Sequence, residues 1–240
     1  MAELALFDDA GYKNQRSFRN YIRLLSAKGI LGGRAAVNYN LRHFALINQQ
    51  VGRAKGDLVM RTHYKTLENI IGNRGIVCRL GGDNFVAVFG AEQLDRVVAF
   101  LTEEPIVYDA EDNSSVNVTT SAGIFVFPEN YSVKSSNEIM GNIVNAFRAA
   151  QSGGKEHVVF FSDKLIEGRE KSMRVQQLFP EAMRREDFKV FYQPKVDVNT
   201  GELVGAEALC RWFHEGRIVP PIDFIPSLEE TKDRKSTRLN

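Results

Sequence analysis

Residues 79–85 read Arg79-Leu-Gly-Gly-Asp-Asn-Phe85, which sets two glycines and an acid between two β-rich runs. Ile76 to Arg79 forms the run before the glycines, and Phe85 to Phe89 forms the run after them. Because glycine adopts positive φ at little cost, the pattern predicts a β-hairpin that turns at Gly81-Gly82. The acid, Asp83, then lies in the turn.

The sequence around this hairpin alternates between helical and extended patterns. Apolar residues at spacings of three and four predict helices, and alternating or continuous apolar runs predict strands. The predicted helices are 15–30 (ending near Gly29), 57–72, 94–101 and 137–150, and the predicted strands are 34–41, 115–127 and 157–161. Helices that alternate with strands favour an α/β sandwich, in which helices cover a sheet.

A second informative stretch runs from Phe191 to Arg211 and sets a carboxylate, Glu207, in an apolar strand. Asn199-Thr-Gly201 has turn chemistry and predicts a hairpin between 188–198 and 202–212. A charge in an apolar strand needs a reason, so Glu207 is a candidate functional residue. Before this hairpin, residues 163–186 are charged with apolar residues at helical spacing, which predicts a helical linker, and Pro180 is placed to open a separate helix over 181–185.

Composition excludes several classes of protein. The 240 residues carry 31 Lys and Arg against 30 Asp and Glu, so no global charge attracts nucleic acid or anionic membrane. The cysteines, Cys78 and Cys210, each lie in an apolar run and are predicted to be buried hydrophobes without a disulfide or zinc. No run approaches ~20 apolar residues and the N-terminus lacks a leader pattern, so we expect a cytoplasmic location.

The four histidines lie in different segments without ligand spacing. We assign none of them to metal binding or catalysis and expect surface or packing positions for all four: His43, His63, His157 and His214.

Residues 1–162 resemble the GGDEF, or diguanylate cyclase, domain. The resemblance implies a nucleotidyl-cyclase-like α/β sandwich, and in that family two GTP molecules, one per subunit, condense into cyclic di-GMP while carboxylates hold two metal ions. The matching segments, in order, are 11–18, 44–52, 56–57, 79–85, 120–128 and 146–149.

The catalytic acids of this family are largely replaced. The family's first metal-binding Asp aligns with Asn40, and the acid two residues later aligns with Arg42. Asp83 resembles the second metal carboxylate, but its neighbour Asn84 is an amide and cannot act as a base. The resemblance therefore implies a degenerate domain without cyclase activity, in which Asp83 is a residual metal position.

The guanine-contacting positions of the family are kept as Asn48 and Asp57. An Asp can accept two hydrogen bonds from the N1 and N2 edge of guanine. One interpretation is a domain that senses GTP, with Arg42 neutralising phosphate charge in place of the metal. The other is a fold kept for packing, with Asp57 as a helix N-cap.

Residues 188–231 resemble the opening of an EAL domain, the family of cyclic di-GMP phosphodiesterases, through Glu207-Ala-Leu209 and the residues around it. That family folds as a TIM-like barrel. By resemblance Glu207 is a ligand of Mg²⁺ or Mn²⁺, Gln193 a substrate contact, and Arg211 a partner for a substrate phosphate. The alternatives are a solvated strand acid for Glu207, and an ion pair or a stem packed on Trp212 for Arg211.

A barrel needs about 250 residues, so only its first elements are present. We therefore predict a degenerate GGDEF domain over 1–162, a helical linker over 163–187, the start of an EAL domain over 188–231, and a non-native or artefactual tail over 232–240. The intact protein is expected to be a bacterial cyclic di-GMP signalling protein that hydrolyses its ligand to linear pGpG. The alternative is a non-catalytic receptor, and two partners are left open, GTP and a second copy bound through the linker.

Overall fold

The computed structural model describes residues 6–102, 104–109, 114–132, 136–152 and 157–236, apart from the side chains of residues 104, 109, 136 and 230–236. The chain divides into two compact units, residues 1–162 and 163–240. Within the described residues, no helix is long and apolar enough to cross a membrane.

The first unit is an α/β sandwich, as the sequence predicts. Its sheet has the order β2-β3-β1-β6-β7, with β6 and β7 parallel and the other neighbours antiparallel, and β4 and β5 form a separate hairpin. The helices are α1 (Gln15–Ala27), α2 (Phe44–Val51), α3 (Arg53–Ile71), α4 (Leu94–Thr102) and α5 (Ser136–Gln151), and the strands are β1 (Arg34–Leu41), β2 (Ile76–Gly81), β3 (Asn84–Gly90), β4 (Glu104–Asp109), β5 (Ser114–Val118), β6 (Thr120–Val126) and β7 (Val158–Phe160).

The sheet is buried on both faces, because successive side chains of a strand point to opposite sides. Along β1, Val37 and Tyr39 with Leu41 belong to one apolar cluster, together with residues of α3 and α4. Ala36 belongs to a second cluster with residues of α1 and α5. Because β1 is packed on both faces, the position of the whole strand is fixed. Its last residue, Leu41, leads directly into the candidate site.

Three elements differ from the sequence prediction, which did not include β4. Helix α3 begins at Arg53, four residues before the predicted start, because the chain turns at Gly52 with a φ of 84°. Asp57 therefore lies inside α3, and the interpretation of Asp57 as an N-cap is wrong. The predicted strand over 115–127 is divided at Thr119, because residues before this break pair with β4 and residues after it pair with β1.

His63 lies in the core of the first unit, which agrees with a packing position. Its side chain is 1% exposed, and its ring lies 5.7 Å from the ring of Tyr39 and 4.5 Å from that of Phe100. Neither ring nitrogen has a hydrogen-bond partner among the described residues. Burial lowers the pKa of His63 from 6.5 to about 3.

This burial predicts an acid-sensitive fold. The unfolded chain takes up a proton at His63 below pH 6.5 whereas the folded chain does not until about pH 3, so stability is full above pH 6.5 and is lost as the pH falls through this window. At pH 5 the loss from this group is about 2 kcal/mol. We expect His63→Leu to remove that part of the difference in unfolding free energy between pH 7.5 and pH 5, measured by urea denaturation. His43→Asn, which alters an exposed histidine with a φ of 54°, should keep the wild-type difference.

The second unit contains α6 (Asp163–Arg184), β8 (Phe188–Val196), β9 (Leu203–His214), β10 (Arg217–Val219) and α7 (Pro221–Ser236). The three strands form an antiparallel sheet in the order β10-β9-β8. A small core joins both helices to the sheet through Val175 and Ala182 of α6, Trp212 of β9 and Phe224 of α7. The predicted boundary at 231/232 falls inside α7.

Two predictions for this unit are wrong. Pro180 does not open a new helix but lies inside α6, which is continuous to Arg184. The side chains of Val175 and Ala182, on either side of the proline, are both buried in the same core, and this packing keeps the helix in one piece. Cys78 is buried as predicted, but Cys210 is exposed because its face of the β8–β9 hairpin is open to solvent.

Candidate functional site

The end of β1 and the turn between β2 and β3 meet at one edge of the sheet. Asn40 lies directly opposite Asn84 in the β1–β3 register. The backbone N–H of Leu41 donates to the carbonyl oxygen of Asp83 at 3.2 Å. The structure thus brings Asn40 at the end of β1 close to Asp83 and Asn84 of the hairpin. The sequence singles out these residues on two separate segments.

The donor atoms at this edge do not fit a divalent metal. Oδ1 of Asp83 accepts a hydrogen bond from Nδ2 of Asn84 at 3.1 Å, and Oδ1 of Asn40 is buried without a hydrogen-bond partner among the described residues. Mg²⁺ requires near-octahedral oxygen coordination and is usually bound through one or two carboxylates. In the described part of the chain no three His, Cys, Asp or Glu residues are grouped as metal ligands. Among Asn40, Asp83 and Asn84, Asp83 is the one carboxylate, and the other two side chains are amides.

A pair of basic side chains lies beside this edge. Nη1 of Arg42 is 2.6 Å from Nε2 of His157, in a part-buried contact between residues 115 positions apart. The backbone N–H of Arg42 donates to the carbonyl oxygen of Thr119 at 2.8 Å. The sequence did not predict the contact between Arg42 and His157, because no local pattern links residues so far apart.

The candidate guanine-binding residues lie on two consecutive helices, Asn48 on α2 and Asp57 on α3. Gly56 packs against Asn48 so closely that a Cβ atom at this position would lie 1.8 Å from Oδ1 of Asn48. That oxygen is buried and has no hydrogen-bond partner among the described residues. Asp57, next to the glycine, is exposed. The two helices thus present an unpaired amide and an accessible carboxylate.

Charged residues also surround Tyr12, close to Asp57. The guanidinium carbons of Arg61 and Arg79 each lie 5.0 Å from the centre of the Tyr12 ring. Burial raises the pKa of Tyr12, the two arginines oppose this shift, and the charges of Asp57 and Asp8 add to it. The Tyr12 ring therefore has cationic neighbours on two elements, Arg61 on α3 and Arg79 on β2.

In the second unit, the β8–β9 hairpin brings two of the three predicted residues together. Gln193 and Glu207 are direct cross-strand partners, and cross-strand neighbours lie about 5 Å apart. Arg211 lies on the same face of β9 but four residues further along, about 13 Å away. Nζ of Lys195 is 3.3 Å from Oε2 of Glu207, whose side chain is 55% exposed.

This hairpin alone does not fit a two-metal centre. Glu207 supplies one carboxylate, and the described residues contain no group of three metal-ligating side chains. Arg211 uses Nη1 to donate to the carbonyl oxygen of Cys210 at 2.9 Å. The hairpin therefore arranges one acid, one amide and one arginine on a face that is open in this chain.

Comparison with known proteins agrees with both halves of the structure. Residues 10–157 match the family described as "Diguanylate cyclase, GGDEF domain", and residues 176–235 match the EAL domain. The chain therefore belongs to the GGDEF domain family, and the start of an EAL domain follows its GGDEF domain.

Individual relatives combine the same two domains. The chain is 24% identical to the cyclic di-GMP phosphodiesterase NbdA of Pseudomonas aeruginosa over 223 residues, covering 89% of this chain and 28% of NbdA. It is 26% identical over 202 residues to MucR of the same organism, a bifunctional diguanylate cyclase and cyclic di-GMP phosphodiesterase, covering 82% of this chain and 29% of MucR. The chain thus spans little more than a quarter of the length of these two relatives.

Solved structures show the same fold. One is the S helix-GGDEF-EAL part of LapD from Vibrio cholerae, bound to cyclic di-GMP. The match covers 99% of this chain and 59% of the LapD chain, with a TM-score of 0.54 and 17% identity. Another is the GGDEF domain of TpbB from Pseudomonas aeruginosa. The match covers 67% of this chain and 97% of the TpbB chain, with a TM-score of 0.55 and 18% identity.

Proposed function

We propose that the chain is part of a cyclic di-GMP signalling protein, whose intact form hydrolyses cyclic di-GMP to linear pGpG through its EAL domain. The GGDEF domain regulates this reaction by binding guanine nucleotide and does not act as a cyclase. The observation that carries the proposal is the contrast between the two sites of the first unit. The acids expected for catalysis are replaced by Asn40, Arg42 and Asn84, whereas Asn48 and Asp57 keep the residue types of the guanine-contacting positions, and Asp57 is exposed.

The guanine site is supported by the packing of α2 against α3. Gly56 leaves room for Asn48, and any side chain at position 56 would push the amide away. The buried, unpaired Oδ1 of Asn48 carries a desolvation cost that a donor on a ligand would relieve. Asp57 offers two carboxylate oxygens to the N1 and N2 donors of guanine.

Asp57→Ala is expected to weaken GTP binding by at least about 100-fold, because it removes hydrogen bonds to a charged acceptor worth about 3 kcal/mol together. Isothermal calorimetry on the 240-residue chain measures this directly. Asp95→Ala, which removes an exposed acid from α4, should leave GTP affinity unchanged. Equal affinities of the wild type and Asp57→Ala would contradict a guanine site at these residues.

The metal of the EAL reaction belongs to the intact domain. With further ligands from the rest of that domain, Glu207 would hold a divalent ion, Mg²⁺ or Mn²⁺, which would activate water and offset phosphodiester charge. In this proposal Gln193, the cross-strand partner of Glu207, contacts the substrate, and Arg211 contacts a phosphate further along the same face.

The alternative function is a receptor that binds cyclic di-GMP without turnover. It is favoured by the ion pair between Glu207 and Lys195, which opposes the use of Glu207 as a metal ligand. A complete EAL domain that binds cyclic di-GMP, yet shows no hydrolysis with Mg²⁺ or Mn²⁺, would establish this alternative.

A further inference from the structure

The contact between Arg42 and His157 joins two basic groups. Arginine is always charged, and Nε2 of His157 accepts from Nη1 of Arg42 at 2.6 Å. Within the described residues, no carboxylate lies at ion-pair distance from Arg42. A part-buried cation normally has an anionic partner, since burial of an unpaired charge is costly. A bound anion would therefore supply the partner that this pair lacks among the described residues.

The backbone holds both residues at the same edge of the sheet. The N–H of Arg42 donates to the carbonyl oxygen of Thr119 at 2.8 Å, and the carbonyl oxygen of His157 accepts from the N–H of Ala122 at 2.7 Å. Thr119 and Ala122 flank the first residues of β6. Backbone hydrogen bonds thus hold both residues against the start of β6. Nη1 of Arg42 contacts Nε2 of His157, and we expect the remaining guanidinium N–H groups to donate to a ligand.

The pair lies within reach of the candidate guanine site. Arg42 lies two residues before the start of α2 at Phe44, and Asn48 lies about 6 Å further along this helix at 1.5 Å per residue. The neighbouring side chains at positions 40 and 84 are neutral amides, so they do not repel a phosphate. Asp83 is the nearby acid, and Oδ1 of Asp83 is held by Asn84 at 3.1 Å.

We propose that Arg42, positioned by His157, binds the phosphates of a guanine nucleotide without a divalent ion. The inference rests on the proposed guanine site and adds how the triphosphate is held. Arginine suits this role because its planar guanidinium can donate two parallel hydrogen bonds to phosphate oxygens. The side chain that replaces a metal-binding acid then supplies positive charge in place of the metal.

The test is calorimetry on the 240-residue chain in EDTA with guanosine, GTP and tripolyphosphate as separate ligands. The wild type should bind GTP at least about 10-fold more tightly than guanosine, the gain expected from hydrogen bonds to a charged group. Arg42→Gln should reduce GTP affinity to that of guanosine and leave guanosine affinity unchanged. His157→Ala should lose part of the gain, and His157→Gln, which keeps an acceptor for Nη1, should restore it.

The outcomes separate the two proposals. GTP binding that exceeds guanosine binding only when Mg²⁺ is added, or that survives Arg42→Gln, would overturn the phosphate site and leave the guanine site intact. Failure of both guanosine and GTP to bind would overturn the guanine site as well. Tripolyphosphate binding as tight as GTP binding would assign the pair to free polyphosphate and overturn its role in nucleotide binding. Thermal unfolding of Arg42→Gln at the wild-type temperature confirms that the variant is folded.

Discussion

Glu207→Gln should abolish cyclic di-GMP hydrolysis in a form of the protein that carries a complete EAL domain. Glutamine has nearly the same size, so the pairing with Gln193 across the β8–β9 hairpin is retained. The substitution removes the anionic oxygen that would hold a divalent ion. Because metal ions contribute several kcal/mol of transition-state stabilisation, we expect turnover to fall by at least about 10³-fold.

The measurement is the rate of pGpG formation under saturating cyclic di-GMP with Mg²⁺ or Mn²⁺. Glu202→Gln is the matched control, because Glu202 is an exposed acid beside the turn of the same hairpin and should be replaceable without loss of turnover. Turnover by Glu207→Gln within about tenfold of the wild-type rate would remove Glu207 from the reaction.

Gly123→Ala should strongly destabilise the first unit. Gly123 lies in β6 beneath α5, and a Cβ atom there would lie 2.0 Å from the backbone nitrogen of Phe147 and 2.5 Å from the carbonyl oxygen of Ile143. Backbone atoms cannot rotate away as a side chain can, so α5 must move off the sheet. Overpacking of this kind costs about 3 kcal/mol, which corresponds to a fall of about 10 °C in melting temperature.

Gly141→Ala provides the matched control, because Gly141 lies in α5, the helix that packs on Gly123. A Cβ atom at Gly141 meets no atom within 4 Å, and alanine is a better helix former than glycine. This variant should therefore be more stable than the wild type by about 0.5 to 1 kcal/mol. A Gly123→Ala variant that melts within about 2 °C of the wild type would show that α5 does not pack on β6 as closely as described.

Much of the first unit could be predicted from the sequence because its signals are local. The alternation over residues 34–41 reproduces β1, and Gly81-Gly82 marks the turn of the β2–β3 hairpin. The start of α3 was misplaced, since residues 53–56 have no apolar spacing and only the turn at Gly52 marks the boundary. The hairpin of β4 and β5 was missed in part because residues 115–127 form one continuous extended pattern, and only pairing with different strands separates them.

The candidate sites were predictable only where a motif carries them. Asn40, Asp83 and Asn84 were found through motif positions, and the register of β1 with β3 places the first and last of them opposite each other. The contact of His157 with Arg42 depends on how β6 and β7 bring distant residues together, which no local pattern encodes. Likewise, the exposure of Cys210 depends on what covers the β8–β9 hairpin, and the apolar run around it does not reveal this.

We propose that the first unit binds guanine nucleotide and thereby regulates hydrolysis by the EAL domain. The most direct measurement is cyclic di-GMP hydrolysis with and without GTP, by a form of the protein with a complete EAL domain and by its Asp57→Ala variant. GTP should change the turnover of the wild type and leave that of the variant unchanged, while Glu207→Gln is inactive under both conditions. Turnover that is the same with and without saturating GTP in the wild type would contradict the claim.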